Sequence, residues 1–139
     1  MRISTKFAVA VHALLLVATE SEPCTSALIA GSVNTNPVVI RRLIALLQNA
    51  NLVSGARGKS GYTLNKSPSE ITLLDIYHAI AVDESTQLFS IHENTNIECN
   101  VGASIQILLE VIMKEAQSAM EAVLHTVTLE QLIQKIPPT

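Results

Sequence analysis

Aromatic and charged side chains are both scarce in this chain of 139 residues. Phe, Tyr and Trp together make up 3% of the sequence, Trp is absent, and Asp, Glu, Lys and Arg make up 15%. So few aromatic residues argue against the exposed stacking surfaces with which RNA-binding modules hold bases. The hydrophobic content of 48% lies far from the disordered regime and is mostly aliphatic. This composition favours helices packed on helices, in one domain or in one small domain with an appended arm.

Cysteine is rare as well. The two cysteines, Cys24 and Cys99, are far apart and form neither a disulfide framework nor a paired zinc motif, which is typical of a reducing, cytoplasmic compartment. The chain has no nucleophile–base pair, and Gly58-Lys59-Ser60 lacks the upstream glycine of a nucleotide-binding loop. We therefore predict no enzymatic activity, no catalytic residue, no metal site and no cofactor.

One apolar run, Phe7–Ala18, follows Arg2 and Lys6 and superficially resembles a signal peptide. The run contains His12, and no convincing cleavage site follows it. It is also shorter than the roughly 20 residues that a membrane span needs. We interpret it as a buried helix and expect no membrane partner.

The net charge of −3 hides a strong asymmetry between the two halves of the chain. Residues 1–66 contain seven Lys and Arg against two Glu, a net +5, whereas residues 67–139 contain two Lys against ten acidic residues, a net −8. A basic part joined to an acidic part indicates an anion-binding unit beside a unit with another task. Chance clustering is the alternative.

Turn and capping signals in the basic half predict three helices followed by a hairpin. Ser4 caps a first helix that ends near Thr19, and a second covers residues 26–30 and stops at Gly31. A third helix covers 37–49, with Asn36 as its N-cap, proline at its first position, and one apolar and one basic face. Two β-prone ends then flank a glycine-rich basic tip within residues 52–64. This order predicts a mainly α fold with a small β-hairpin wing, the winged helix-turn-helix.

In such a fold the third helix enters the major groove, where its N-terminal residues reach base edges first. Asn pairs with adenine, Arg pairs with guanine, and Val contacts the thymine methyl group. A basic hairpin tip reaches flanking phosphates or the minor groove. As an alternative, Arg41 and Arg42 are only the solvated face of a surface helix. We predict DNA contacts from Asn34, Thr35, Asn36, Val38, Arg41, Arg42, Arg57 and Lys59.

The acidic half predicts a short helix opened by Thr72 with Asp75, a polar loop and a long helix over residues 101–125. A capping box of Thr128 with Gln131 predicts a last short helix after it. Apolar residues in the long helix recur in steps of four and three, which is typical of helix-on-helix packing. We predict a DNA-binding domain at residues 1–82, a loop at 83–100 and dimerisation helices at 101–139. We call the recurring apolar residues of the long helix the seam. As an alternative to dimerisation, the seam packs on its own domain. Its residues are Ile105, Leu109, Ile112, Ala116, Ala119 and Val123.

Several motifs spread over essentially the whole chain resemble the Rrf-two (Rrf2) family of bacterial transcription regulators. The resemblance implies a homodimer, usually a repressor, whose long C-terminal helices cross at the interface and whose partner is an operator in double-stranded DNA. The motifs are Met1–Ser4, Phe7-Ala8, Asn36–Leu43, Leu52-Val53, Gly58–Leu64, Ile71–Ile76 and Cys99–Gly102.

The cysteine pattern departs from the pattern of the cluster-binding members of that family. Those members have three closely spaced cysteines before the long helix, whereas here only Cys99 matches, and the upstream positions hold Gln87 and Glu93. Because a cluster needs several soft ligands, Cys99 with His92 is not enough, and we expect no iron–sulfur cluster.

Sensing could instead depend on a thiol. Cys99 precedes a helix N-terminus, which favours a thiolate, and oxidation could bridge it to Cys24. The alternatives are a buried, inert Cys24 and a loop that binds an unknown small effector, or nothing, with Cys99 packed beneath it. For the function of the whole chain, the alternative to a DNA-binding regulator is a winged-helix module that binds another protein and no DNA.

Overall fold

The computed structural model describes residues 2–55, 61–82 and 94–138. Over these residues the fold is mainly helical, with one antiparallel hairpin. The elements are α1 (Ile3–Thr19), α2 (Ser26–Val33), α3 (Pro37–Asn49), β1 (Val53–Gly55), β2 (Tyr62–Leu64), a 3₁₀ turn (Pro68–Glu70), α4 (Leu73–Ile80), α5 (Asn100–His125) and α6 (Leu129–Lys135).

Two predicted helix boundaries are wrong. α1 begins at Ile3 with Arg2 at the N-cap position and no side-chain cap, so Ser4 lies inside the first turn and does not cap the helix. α2 does not stop at Gly31 but continues to Val33. It ends there because Asn34 adopts the left-handed conformation, with φ of 67°, and supplies the terminator that the prediction had assigned to glycine.

The predicted start signals of α3, α4 and α6 are confirmed. The side chain of Asn36 accepts a hydrogen bond from the backbone N–H of Val39, and Pro37 occupies the first turn of α3. Thr72 forms a reciprocal capping box with Asp75 at α4. The same arrangement opens α6, where Thr128 and Gln131 satisfy each other's backbone N–H groups.

One aliphatic core joins α1, α2, α3, α4, the base of the hairpin and the start of α6. Its residues are at most 4% exposed, as expected for close-packed side chains. α1 contributes Ala10, Ala13 and Leu14, so the apolar run near the N-terminus is a core helix. The largest buried side chains are Leu14, Ile29, Ile40, Ile44, Leu47, Leu52, Val53, Ile71, Ile76, Ile80 and Leu129.

The segment that links α5 to α6 is tied back to the start of α4. The N–H of Leu73 donates to the carbonyl of Val127 at 2.8 Å, and the N–H of Leu129 donates to the carbonyl of Ile71 at 2.9 Å. The Leu129 side chain is fully buried. The C-terminal end of α5 is therefore anchored to the helical core.

This architecture confirms the predicted fold class, a winged helix-turn-helix with a long C-terminal helix. The division at residues 82 and 100 stays a prediction. Among the described residues, none of the helices combines the length and apolarity needed to cross a bilayer.

Candidate nucleic-acid interface

α3 has one buried face and one exposed face. Ile40, Leu43, Ile44 and Leu47 are at most 4% exposed, which fixes the orientation of the helix on the core. Val38 is 46% exposed although it is apolar. Apart from Val38, the exposed face consists of Arg41, Arg42, Ala45, Gln48 and Asn49, as the periodicity predicted.

The turn between α2 and α3 is held by backbone conformation and by one side chain. The N–H groups of Asn34 and Thr35 both donate to the carbonyl of Ala30, which closes the end of α2. Asn36 then caps α3 through its Oδ1 atom, 3.1 Å from the N atom of Val39. Asn34 and Asn36 are exposed and Thr35 is half-buried. All three predicted contact residues thus shape the turn that presents α3.

The hairpin follows α3 directly, and its base is firmly connected to the helical core. Val53 pairs with Leu64 and Gly55 pairs with Tyr62. The Tyr62 ring covers Gly55 so closely that a Cβ atom there would force the ring to move. The N–H of Tyr62 donates to the carbonyl of Cys24 at 2.8 Å, which joins β2 to the segment before α2. The hairpin is therefore held at a fixed position beside α3.

Gly61 allows β2 to lie close to the backbone of Cys24. Its φ is 94°, and a Cβ atom there would lie 2.6 Å from the backbone N atom of Cys24. Only glycine adopts this conformation readily and leaves that space empty. Arg57 and Lys59, the predicted contacts at the tip, lie outside the described residues.

The exposed face of α3 keeps its positive charge. The described part of the chain contains one salt bridge, which joins His78 Nε2 to Glu121 Oε1 at 2.8 Å and does not involve α3. No described carboxylate lies within 4.0 Å of the guanidinium groups of Arg41 and Arg42. Both cations are therefore available to an external anion.

α5 packs on the winged-helix unit along one side. Its Gln117 donates to the Tyr77 hydroxyl at 2.9 Å, and its Glu121 contacts His78, both on α4. No residue of this 26-residue helix is fully buried. The described chain alone therefore leaves most of α5 uncovered.

The exposed side of α5 includes part of the predicted seam. Of the predicted residues, Ile112, Ala119 and Val123 are exposed, whereas Ile105, Leu109 and Ala116 are half-buried. Sequence reasoning missed four further large apolar residues that are exposed, because α5 is apolar on more than one side. They are Val101, Ile107, Leu108 and Val111. The dimerisation role of this helix stays a prediction.

The two cysteines have opposite environments. Cys24 is 4% exposed, and burial, with a smaller effect of the Glu20 carboxylate, raises the pKa of its thiol. Cys99 is exposed at the N-cap of α5, where backbone N–H groups of Gly102 and Val101 lower the pKa of its thiol. A thiolate is stabilised at Cys99 and penalised at Cys24.

These residues do not fit a thiolate-bound metal cluster. The chain contains two cysteines in total, and Cys24 is enclosed in the core. Within residues 2–55, 61–82 and 94–138 no group of three His, Cys, Asp or Glu side chains is placed to hold a metal ion. A cluster needs several soft ligands at one place.

Comparison with known proteins identifies a family. Residues 3–135 match the Rrf2 family model, which is described as an iron-dependent transcriptional regulator. The chain is 41% identical over 131 residues to a "Putative HTH-type transcriptional regulator YwnA" of Bacillus subtilis (strain 168), covering 94% of this chain and 96% of that protein.

Solved structures share the fold over nearly the whole chain. A crystal structure of "a putative DNA binding protein" is 35% identical with a TM-score of 0.73, and the match covers 92% of this chain and 98% of that one. CymR (YrzC), the global cysteine regulator of B. subtilis, is 25% identical with a TM-score of 0.66, and the match covers 99% of both chains.

Proposed function

Because the chain belongs to the Rrf2 family of transcriptional regulators, we propose that it represses transcription as a homodimer bound to an operator in duplex DNA. The family match confirms the resemblance inferred from sequence motifs, and it confirms the prediction of a transcription regulator. One observation supports the DNA-binding surface above all others. The exposed face of α3 presents two arginines without a described acidic partner beside an exposed valine, on a helix fixed by its buried face.

In this proposal α3 lies in the major groove. Arg42 reads a guanine through its bidentate guanidinium group, and Val38 contacts a thymine methyl group. Arg41 binds a backbone phosphate. The amide of Asn36 is already engaged as the helix cap, so we assign it mainly the positioning of α3. Arg57 and Lys59 extend the contact to flanking phosphates, a role that rests on the sequence alone.

The second subunit is proposed to cover the exposed side of α5. A 26-residue helix is about 39 Å long, enough to cross a partner helix over several turns. Val101, Leu108 and Ile112 are each more than half exposed, and they follow one another at helical spacing. Monomers rarely expose a continuous apolar surface of this extent. A homodimer buries it and places two α3 helices on one face of DNA.

We further propose that the response to a signal includes the thiol of Cys99. The observations that support this role are its exposure and its lowered pKa at the start of α5. Cys24 is the weaker candidate, because its thiol is buried and its pKa is raised. The bridge between the two cysteines is therefore not part of the proposal.

To test whether α3 reads DNA, the sequences that the protein binds are selected from random duplex DNA, and Arg42 variants are then compared on the selected operator. Arg42→Ala should weaken binding by about 1–3 kcal/mol per contact and relax base preference at one position in each half-site. Arg42→Lys is the matched control, because it keeps the charge and loses the bidentate fork. Arg42→Lys should retain affinity for nonspecific DNA and still lose the base preference at the position that Arg42 reads.

Two results would contradict the proposal. If the selection enriched no sequence, the chain would not read DNA, and a protein-docking role for the winged helix would be favoured. If a sequence were enriched but Arg42→Ala changed neither affinity nor preference, α3 would not be the reading helix.

A further inference from the structure

A groove of about 460 Å³ lies between α1 and α3, on the exposed side of the winged-helix unit. Three aliphatic side chains line it together with two cations, Lys6 and Arg42. Lys6 is not among the DNA contacts predicted from the sequence, because nothing in the spacing of α1 links it to α3. The aliphatic lining residues are Val39, Leu43 and Leu46.

The groove runs along one flank of α3. Val39, Leu43 and Leu46 are spaced by four and three residues, so they form a single stripe beside the exposed face. The other flank borders the hairpin, where the Gln48 amide lies 3.6 Å from the position of a Cβ on Gly55. The exposed face of α3 therefore has the hairpin on one side and Lys6 on the other.

The chemistry of the groove indicates an anion. No described carboxylate lies within 4.0 Å of the Lys6 ammonium or the Arg42 guanidinium group. Two cations that line one groove repel each other, and a phosphate bound by Lys6 beside Arg42 lowers that repulsion. A helix in the major groove has a phosphate backbone on each side, and such backbones are bound by Lys and Arg.

We propose that Lys6 binds a DNA backbone phosphate on the side of α3 opposite to the hairpin. This phosphate belongs to a nucleotide next to the base pair that Arg42 reads, because both side chains line one small groove. α1 thereby becomes a third DNA-contacting element, and α3 is held in the major groove from both flanks. The inference rests on the proposed DNA-binding function.

The first test measures the salt dependence of operator binding for Lys6→Ala. Each lost phosphate contact should reduce the slope of log K against log salt by about 0.9, so a dimer should lose about 1.8. Affinity should fall about five-fold for each subunit's contact, equally for specific and nonspecific duplexes. Lys135→Ala is the matched control, because it removes the same charge from an exposed position on α6 and should leave the slope unchanged.

Alanine is the best helix former, so Lys6→Ala should keep the fold, which circular dichroism and thermal unfolding check. If that variant unfolds, Lys6→Gln, which keeps a long polar side chain, replaces it in the same titration. A wild-type slope near zero would overturn the proposed function itself. A steep wild-type slope that neither the folded Lys6→Ala variant nor Lys6→Gln reduces would overturn only the role of Lys6.

The second test locates the phosphate. Operators with a single uncharged methylphosphonate at successive positions are titrated with wild type and with Lys6→Ala. At one position per half-site the wild type should lose affinity and Lys6→Ala should not. That position should lie within about two nucleotides of the base pair at which Arg42→Ala relaxes preference, since phosphates on one strand are 3.4 Å apart along the axis. If no position loses its effect in Lys6→Ala, or if Lys6→Ala instead abolishes binding of a small organic anion without affecting DNA, the assignment to the DNA backbone is wrong.

Discussion

Gly61→Ala should destabilise the fold and displace the wing, for reasons visible at one contact. The new Cβ atom would lie 2.6 Å from the backbone N atom of Cys24, closer than real Cβ contacts allow. The φ of 94° is unfavourable for alanine, at a cost of about 1–3 kcal/mol. Relief of the clash also breaks the hydrogen bond from Tyr62 to Cys24, which contributes about 1 kcal/mol. We expect a total loss of about 2–4 kcal/mol in the free energy of unfolding.

Urea unfolding followed by circular dichroism measures this loss, at one protein concentration for all variants because the stability of the proposed dimer would depend on concentration. Gly31→Ala is the matched control. Gly31 lies inside α2, and a Cβ atom there meets nothing within 4 Å. Alanine in a helix interior should stabilise the protein by about 0.5–1 kcal/mol.

Operator affinity gives a second measurement on the same pair of variants. At a temperature where both are folded, Gly61→Ala should bind DNA more weakly than wild type, since the base of the wing has moved, and Gly31→Ala should bind normally. The reasoning is refuted if Gly61→Ala unfolds within about 0.5 kcal/mol of wild type, or if both glycines respond alike.

Three further predictions concern α5, α6 and the exposed thiol. Ile112→Glu places a charge on the exposed apolar side of α5, so this variant should sediment as a 14.9 kDa monomer, whereas the control Ile112→Leu should stay dimeric. A folded, dimeric Ile112→Glu variant would mean that the interface does not include this side of α5. Leu129→Ala should lower the free energy of unfolding by about 2–5 kcal/mol in urea, because its side chain is fully buried; a loss below about 1 kcal/mol would mean that α6 is not anchored to the core. In a Cys24→Ser background, iodoacetamide should alkylate Cys99 with a pH midpoint below that of a free cysteine thiol, about 8.5, because backbone N–H groups lower the pKa of Cys99. A midpoint at or above that of a free cysteine measured in parallel would count against Cys99 as the responsive thiol.

Local signals predicted much of the fold. Asn36-Pro37, Thr72 with Asp75, and Thr128 with Gln131 are short-range arrangements, and each starts a helix as expected. The end of α2 was misplaced because a glycine inside a helix costs only about 1 kcal/mol, and Asn34 provides another left-handed terminator three residues later. Such competition between two nearby signals is decided by packing.

The interface depends more on tertiary structure than the helices do. Periodicity placed Arg41 and Arg42 opposite Ile40 and Ile44, and the structure agrees. The groove at Lys6 arises from two helices that meet in space, so spacing along one helix does not reveal it. On α5 the apolar residues are too many for periodicity alone to separate those that pack on α4 from those left exposed.

The central claim, that this chain binds duplex DNA through cationic side chains around α3, is tested most directly by the salt dependence of wild-type affinity. Binding to the selected operator should be titrated between 50 and 200 mM salt, a range over which the loss of affinity reports phosphate contacts. If Arg41 and Lys6 each bind one phosphate in each of two subunits, log K should fall linearly against log salt with a slope of about −3.6 or steeper. A slope near zero would contradict the account, because the cations on this face would then not meet DNA phosphates.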